Sequence, residues 1–439
     1  MVPVRTFASR AILTFGTNLG VALISLVNVL LVSRVLGASG RGDVAFLTTI
    51  AFLGSNLATI GVQESNSNIG GADPDARRAL ATNSVVLAAL FGAGSIGVLS
   101  GLIALFPAVG GPSNAALRWL VLAAIPMLIL QLYLRSLAQS TYGFAVTNTA
   151  WLLGPVVNIV GNGVAALVGV LTVETAVGTW IAGQLLGTIL LAWWIATRQA
   201  GFGRPDLRLV RRSIGFGARS HAGRVMLLGN YRLDQWIVGA IAGSRQLGLY
   251  SVAVAWAEAL FYLPTALSLV QRPDLVRASK PEAARQTAVA FRASVIVTLA
   301  LAVGMFLTAP FLCVTIFGPD FRGSVVDLRV LTVGAFGIVA LKQFGNALTA
   351  QQRPLLATAA TAVAFAVTTA LDFVLIPAHG GLGAAYASTI AYLVGGFAIT
   401  FVFLRALDGR VAQIAPRPRD VVRMWERLRL RRLVGETAL

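Results

Sequence analysis

Residues 11–33, AILTFGTNLGVALISLVNVLLVS, hold no charged side chain, although Arg10 and Arg34 flank them directly. As an α-helix rising 1.5 Å per residue the stretch reaches ~34 Å, enough to cross the ~30 Å hydrocarbon core of a bilayer. It is apolar all round rather than along one stripe, so lipid suits it better than water. A secretory leader would be shorter and closed by a small-residue cleavage site. None is clear here, and the stretch reads as a retained first helix.

The same reading extends along the chain. Of 439 residues 56% are hydrophobic and only 12% charged, with mean hydropathy +0.78. Soluble chains are nearer a quarter charged. Charge-free length, punctuated by Gly, Pro and charged residues, predicts spans over 11–33, 44–63, 80–106, 117–139, 149–171, 175–197, 216–241, 248–270, 290–312, 325–349, 355–377 and 382–404. The expected fold class is an all-α polytopic membrane protein of about twelve transmembrane helices, in two parallel six-helix bundles. Residues 1–198 form the first bundle, 199–215 a cytoplasmic linker, 216–404 the second bundle and 405–439 a basic amphipathic cytoplasmic tail. Within the tail, Val421, Met424, Trp425 and Leu428 share one helical face among arginines, as an interfacial helix requires.

With the amino terminus inside, Arg77, Arg78, Arg198, Arg204, Arg208, Arg211, Arg212 and the tail arginines fall on the inner side. Few basic residues (Arg34, Arg41, Arg118, Arg245, Arg322, Arg329) fall outside. The asymmetry places both termini in the cytoplasm of a bacterial-type plasma membrane. The net charge of +18 then reflects topology and anionic membrane lipid as a partner, and no nucleic acid.

An internal repeat is visible. LGASGRGDVAF carries Gly37 and Gly42, and AGSRQLGLYSV carries Gly243 and Gly248, at an offset of 206. Gln131 and Ala138-Gln139 recur as Gln343 and Ala350-Gln351 at an offset of 212. Such an offset fits duplication of a six-helix unit, and transporters place their sites between such halves.

Several chemistries are excluded. Cys313 stands alone, and His221 and His379 build no metal pattern. Neither Lys280 nor Lys342 follows a glycine, so there is no P-loop. No cofactor is expected, and coupling to a proton, a sodium ion or the membrane potential stays open. Asp73-Pro74-Asp75 matches a bare DxD triplet but reads better as a helix start. No triad or nucleophile elbow stands out, so the chain is not read as an enzyme.

Charges inside a spanning helix mark a cavity, a pair or a pathway. Helix seven is the richest: at ~100° per residue, Arg224, Tyr231, Gln235, His221 and Arg232 share a polar arc about 100° wide. The arc suits a cationic wall for phosphate or acidic sugars. A later helix start would instead let Arg219 and Arg224 reach the headgroups. Lys342, Gln343 and Asn346 form a second candidate patch, with Lys342 equally suited to pairing with Asp234 or Asp372. Arg135 fits a snorkelling role better than a cavity one. Asp234, Glu258, Asp372 and Glu64 are candidates for ion coupling. Asn18, Asn28, Asn158 and Asn162 serve equally as interhelical glue or ligand contacts.

Four stretches carry a family resemblance: LVSRVLGASGRGDVAFLTTI, YRLDQWIVGAIAGSRQLGLYSVAVAWAEAL, IFGPDFRGSVVDLRVL with its Phe-Gly-x-x-Phe turn, and LDFVLIPAHGGLGAAYASTIAY. Over about residues 5–405 the chain resembles the polysaccharide (O-antigen-type) flippase branch of the multidrug/oligosaccharidyl-lipid/polysaccharide exporter superfamily. The resemblance implies that the two six-helix bundles surround a central cavity, with alternating access of an undecaprenyl-diphosphate-linked glycan, for lipopolysaccharide, cell-wall or other surface polysaccharide. It makes Arg224, Arg232 and Lys342 the headgroup candidates, and glycan polymerase and assembly proteins possible partners. Lipid-II-type flippases usually have fourteen helices, and twelve are counted here. A multidrug/cation antiporter of the same superfamily is the alternative. A membrane glycan polymerase or ligase would need a larger outer loop than the one near 311–324, and a scaffold for glycan assembly would act through the basic tail.

Overall fold

The computed structural model describes residues 4–111, 114–199 and 201–415. The amphipathic helix expected at Arg417–Val434 lies outside the described residues, which contain helices and turns and no strand. The all-α polytopic class is borne out. Nine described helical segments are long and apolar enough to cross a membrane, where twelve spans were expected.

The difference has three sources. The first two expected spans merge in α1 (Val4–Ala58), because LGASGRGD, read as a loop, is helical except at Gly37 (φ 65°, ψ −172°). The 43 residues from Gly16 to Ala58 would measure ~65 Å as one rod, twice the hydrocarbon thickness, so the break at Gly37 divides two arms of spanning length. Glycine alone takes that backbone conformation without strain. The seventh expected span is helical but too polar to count among the nine, and the eighth is broken into helices of 17 and 16 residues, each too short to count.

After a turn at Ile60 and Gly61 comes α2 (Val62–Ala72), then α3 (Ala76–Leu105). The Asp73 carboxylate accepts from the Asp75 and Ala76 amides, so the DxD triplet starts a helix. Helix α4 (Ala115–Ala123) gives way to α5 (Ile125–Ser140) just before Pro126. Next come α6 (Phe144–Leu167) and α7 (Val173–Trp194), the latter opened by a Thr172/Thr175 capping box. Helix α8 (Leu207–Ile241) begins at an Asp206 cap, nine residues before the expected 216, so its arginine-rich first turns are helical. Then follow α9 (Gly243–Ala259), α10 (Tyr262–Arg277), α11 (Lys280–Pro310), α12 (Ser324–Ala350), α13 (Pro354–His379), α14 (Gly381–Ala406) and the short α15 (Val411–Ile414). The expected eighth span breaks at Leu260 because Pro264 denies that carbonyl its i+4 amide partner.

The described residues group into two compact units: 1–251 with 316–321, and 252–315 with 322–439. In the first, Leu80, Leu134, Leu137, Leu191 and Ile195 build a shared core of α3, α5, α7 and the turn that follows α7. The glycine repeat has a structural counterpart here. Both Gly37 and Gly243 have positive φ. A methyl group on Gly42 would lie 1.7 Å from the Ser244 carbonyl oxygen, and one on Gly248 would lie 1.8 Å from that of Ala38. Residues 38 and 42 correspond to 244 and 248 at the offset of 206, so the contacts are reciprocal, as at a local two-fold axis. Ser244 also donates a hydrogen bond to Asp43. The Phe-Gly-x-x-Phe turn belongs to this unit: Phe317 and Phe321 are buried edge to face, and Arg34 Nε donates to the Ile316 carbonyl at 2.6 Å.

In the second unit, Phe344 is sandwiched between Phe291 and Phe403 at 4.5 and 4.4 Å. Gly337 and Gly396 let α12 and α14 meet backbone to backbone, as small residues do in membrane helices.

Candidate functional site

One tertiary contact builds the site in the first unit. Gly61, left-handed at φ 70°, meets Gly217 so closely that a methyl on Gly61 would stand 2.2 Å from the Gly217 carbonyl oxygen. Counting along α8 from Gly217, positions i+4 and i+7 are His221 and Arg224, on the same helical face. Counting from Gly61, position i+3 is Glu64, in the first turn of α2, where the helix dipole favours a carboxylate. The two glycines therefore set a cation and an anion opposite each other.

Arg224 Nη1 donates to Glu64 Oε1 at 3.2 Å and Nη2 to Asn56 Oδ1 at 3.2 Å. The pair is single-pronged: Arg224 Nε and Glu64 Oε2 are buried without hydrogen-bond partners. Both side chains keep 33% of their surface open. At that exposure the pair stabilises by no more than about 1 kcal/mol, so it can open. His221 Nε2 lies 2.9 Å from the Leu57 carbonyl, which only accepts, so the proton belongs on Nε2. Arg135 stacks over Trp151 at 4.3 Å and stands within electrostatic reach of Arg224.

Further along α8, Tyr231 and Arg232 are half-buried, whereas Gln235 and Asp234 are buried. The Tyr250 hydroxyl donates to Asp234 Oδ2. Arg41, read from sequence as an outer-loop residue, lies within electrostatic reach of Arg232. Arg219 is exposed and takes no part in the Arg224 cluster.

The second unit holds the other patch. Gln343 Nε2 donates to the Pro264 carbonyl at 3.1 Å and to Ser294 Oγ at 3.0 Å, and Asn346 Nδ2 to the Ser268 carbonyl at 2.9 Å. Both amides thereby reach carbonyls of α10. Lys342 is half-buried with Glu258 within electrostatic reach, and Asp372 is buried in the middle of α13.

Asn162 Nδ2 donates to Asn28 Oδ1 at 2.8 Å and Asn158 Oδ1 at 2.7 Å, while Thr179 donates to Asn162 Oδ1 at 2.7 Å. Three helices are thereby joined through neutral groups, the glue reading. As site residues, Asn56 and Arg41 escaped the sequence reading. Asn56, Thr59 and Gln63 recur at i, i+3 and i+7, the stripe that would have drawn attention to Asn56.

A family described as "Polysaccharide biosynthesis protein" matches residues 31–326. No curated protein matches the chain in sequence. Among solved structures, the lipid II flippase MurJ in an inward closed conformation aligns at TM-score 0.76 and 13% identity, over 92% of this chain and 89% of that one. An inward-facing multidrug resistance MATE family transporter of the MOP superfamily aligns at TM-score 0.73 and 14% identity, over 91% and 99%. A MOP superfamily transporter from Pyrococcus furiosus, described by the reverse polarity of its binding pocket, aligns at TM-score 0.58 and 16% identity, over 91% and 95%. At these identities the likeness is one of fold.

Proposed function

The chain belongs to the polysaccharide biosynthesis protein family and has the fold of MOP-superfamily transporters, and from that premise we propose that it flips a polyprenyl-diphosphate-linked oligosaccharide across a bacterial cytoplasmic membrane. The resemblance first carried by LVSRVLGASGRGDVAF and the later stretches is borne out. In this reading the glycan headgroup crosses by alternating access while its lipid tail stays in the bilayer. Both termini face the cytoplasm, and polymerase and assembly proteins receive the product.

The observation that carries the reading is the Arg224 seat. A diphosphate needs a cation that is partly desolvated, accessible at the surface and held by bonds weak enough to exchange. Arg224 has all three properties, with Arg135 adding positive potential beside it. Arg232 with Arg41, and Lys342 in the second unit, supply further cations. A multidrug antiporter shares the fold, but a cationic drug would be repelled by arginines at this seat. Glu64, Asp234, Glu258 and Asp372 are then groups to couple a proton or sodium ion.

The deciding experiment is headgroup translocation of a fluorescent polyprenyl-diphosphate glycan in proteoliposomes. Wild type is expected to flip it, and Arg224→Ala and Arg232→Ala to slow it at least tenfold. Drug efflux by a protein that flips no lipid-linked glycan would replace this reading with the antiporter.

A further inference from the structure

We propose that the first turns of α8 form a docking shelf for anionic phospholipid headgroups, separate from the transport seat and independent of what is transported. At ~100° per residue, Arg208, Arg211, Arg212 and Arg219 fall on one arc about 100° wide. All four are exposed. Leu207 and Phe216 bracket the arc and are themselves 70% and 42% exposed. The opposite face carries Ser213 and Gly217, both buried, with Gly217 against Gly61. Cations at the centre and large apolar groups at both edges suit a bilayer interface, where phosphates meet acyl chains.

Water alone is a poor occupant for this surface. It would solvate the arginines but leave Leu207 and Phe216 exposed. Positions 208, 211 and 212 are helical neighbours at i, i+3 and i+4, and like charges at such spacing repel. No acidic residue interrupts 207–220, and Asp206 is engaged at the cap, accepting from the Arg208 and Leu209 amides. Anions from outside the chain are the natural counter-ions.

The shelf is also held in place. Gly203 exchanges two hydrogen bonds with Thr82, and Asp206 exchanges two with the Asn83 amide, so residues 201–206 are tied to the start of α3. The arginines thus project from a fixed helix rather than a floating linker.

The test uses the full-length protein in nanodiscs of phosphatidylcholine with and without phosphatidylglycerol. Retained lipid is read by native mass spectrometry, and the thermal shift on adding phosphatidylglycerol is measured in parallel. Wild type is expected to retain phosphatidylglycerol preferentially and to melt higher with it. Each arginine removed should cut the preference about fivefold, in R208Q/R211Q/R212Q/R219Q and, should that variant fold poorly, in the milder R211Q/R212Q. The comparison R272Q/R277Q, which removes two exposed arginines from α10, should retain the wild-type preference. A folded shelf variant with undiminished preference, or an equal loss in R272Q/R277Q, would overturn the proposal. The basic tail is common to every variant and cancels.

Discussion

Arg224 offers two donors to partners and keeps a third, Nε, without one. Glu64 is therefore a tethered competitor for the anion that the seat is proposed to take. Glu64→Gln should lower the apparent KM for a lipid-linked diphosphate by about threefold to fivefold, the share of a partly exposed ion pair worth about 1 kcal/mol or less. Proteoliposome titrations check this, and an unchanged or raised KM would remove the competitor role. Arg224→Lys should not rescue transport to wild-type level, because one ammonium lacks the planar fork that reaches Glu64 and Asn56 together. Arg224 itself was legible in the sequence, as a charge within a polar arc of one helix. Its partner was not. Glu64 meets it only because Gly61 packs on Gly217, a contact 156 positions apart, and helical periodicity carries no information about such a pairing.

Helices crossing at glycine set the next scale. Gly42 and Gly248 each face the backbone of the other repeat with no room for a methyl group. Gly42→Ala or Gly248→Ala should each destabilise by about 1–3 kcal/mol, the cost of overpacking. Since either substitution prises open the same crossing, the double variant should cost less than the sum of the two. Thermal melts of the detergent-purified protein measure both, and simple additivity would mean two independent contacts. Asn162→Leu should cost about 1–2 kcal/mol, since it strands the acceptors of Asn28 and Asn158 among three helices. The apolar helices were readable nearly to their ends: 80–106 was expected where Ala76–Leu105 stands, and 382–404 where Gly381–Ala406 stands. Errors gathered where polar residues continue a helix. Residues 34–43 and 207–215 look like loops because charge signals water, yet Gly37 alone makes the break in the first and Asp206 caps the second.

For the molecule as a whole, fixed arginines stay behind when cargo leaves, so the charge moved per cycle is that of the substrate plus any coupled ion. A diphosphate with about two negative charges moving outward through a potential of 100 mV, inside negative, gains roughly 4.6 kcal/mol, about 2.3 per charge. That free energy alone would bias the steady-state distribution by more than a thousandfold. If two cations leave with each glycan the net charge is zero and the potential does nothing. If protons enter in exchange, the charge moved rises and the dependence steepens. Proteoliposomes with the potential clamped by potassium and valinomycin, at a fixed pH gradient, separate these cases. We expect outward flipping to accelerate as the interior becomes more negative, and Arg224→Ala to slow the rate without changing that slope, because an arginine in the proposed seat would bind the charge without travelling with it. A rate indifferent to the potential would exclude charge-driven export. A slope altered by Arg224→Ala would mean that the arginine itself moves through part of the field.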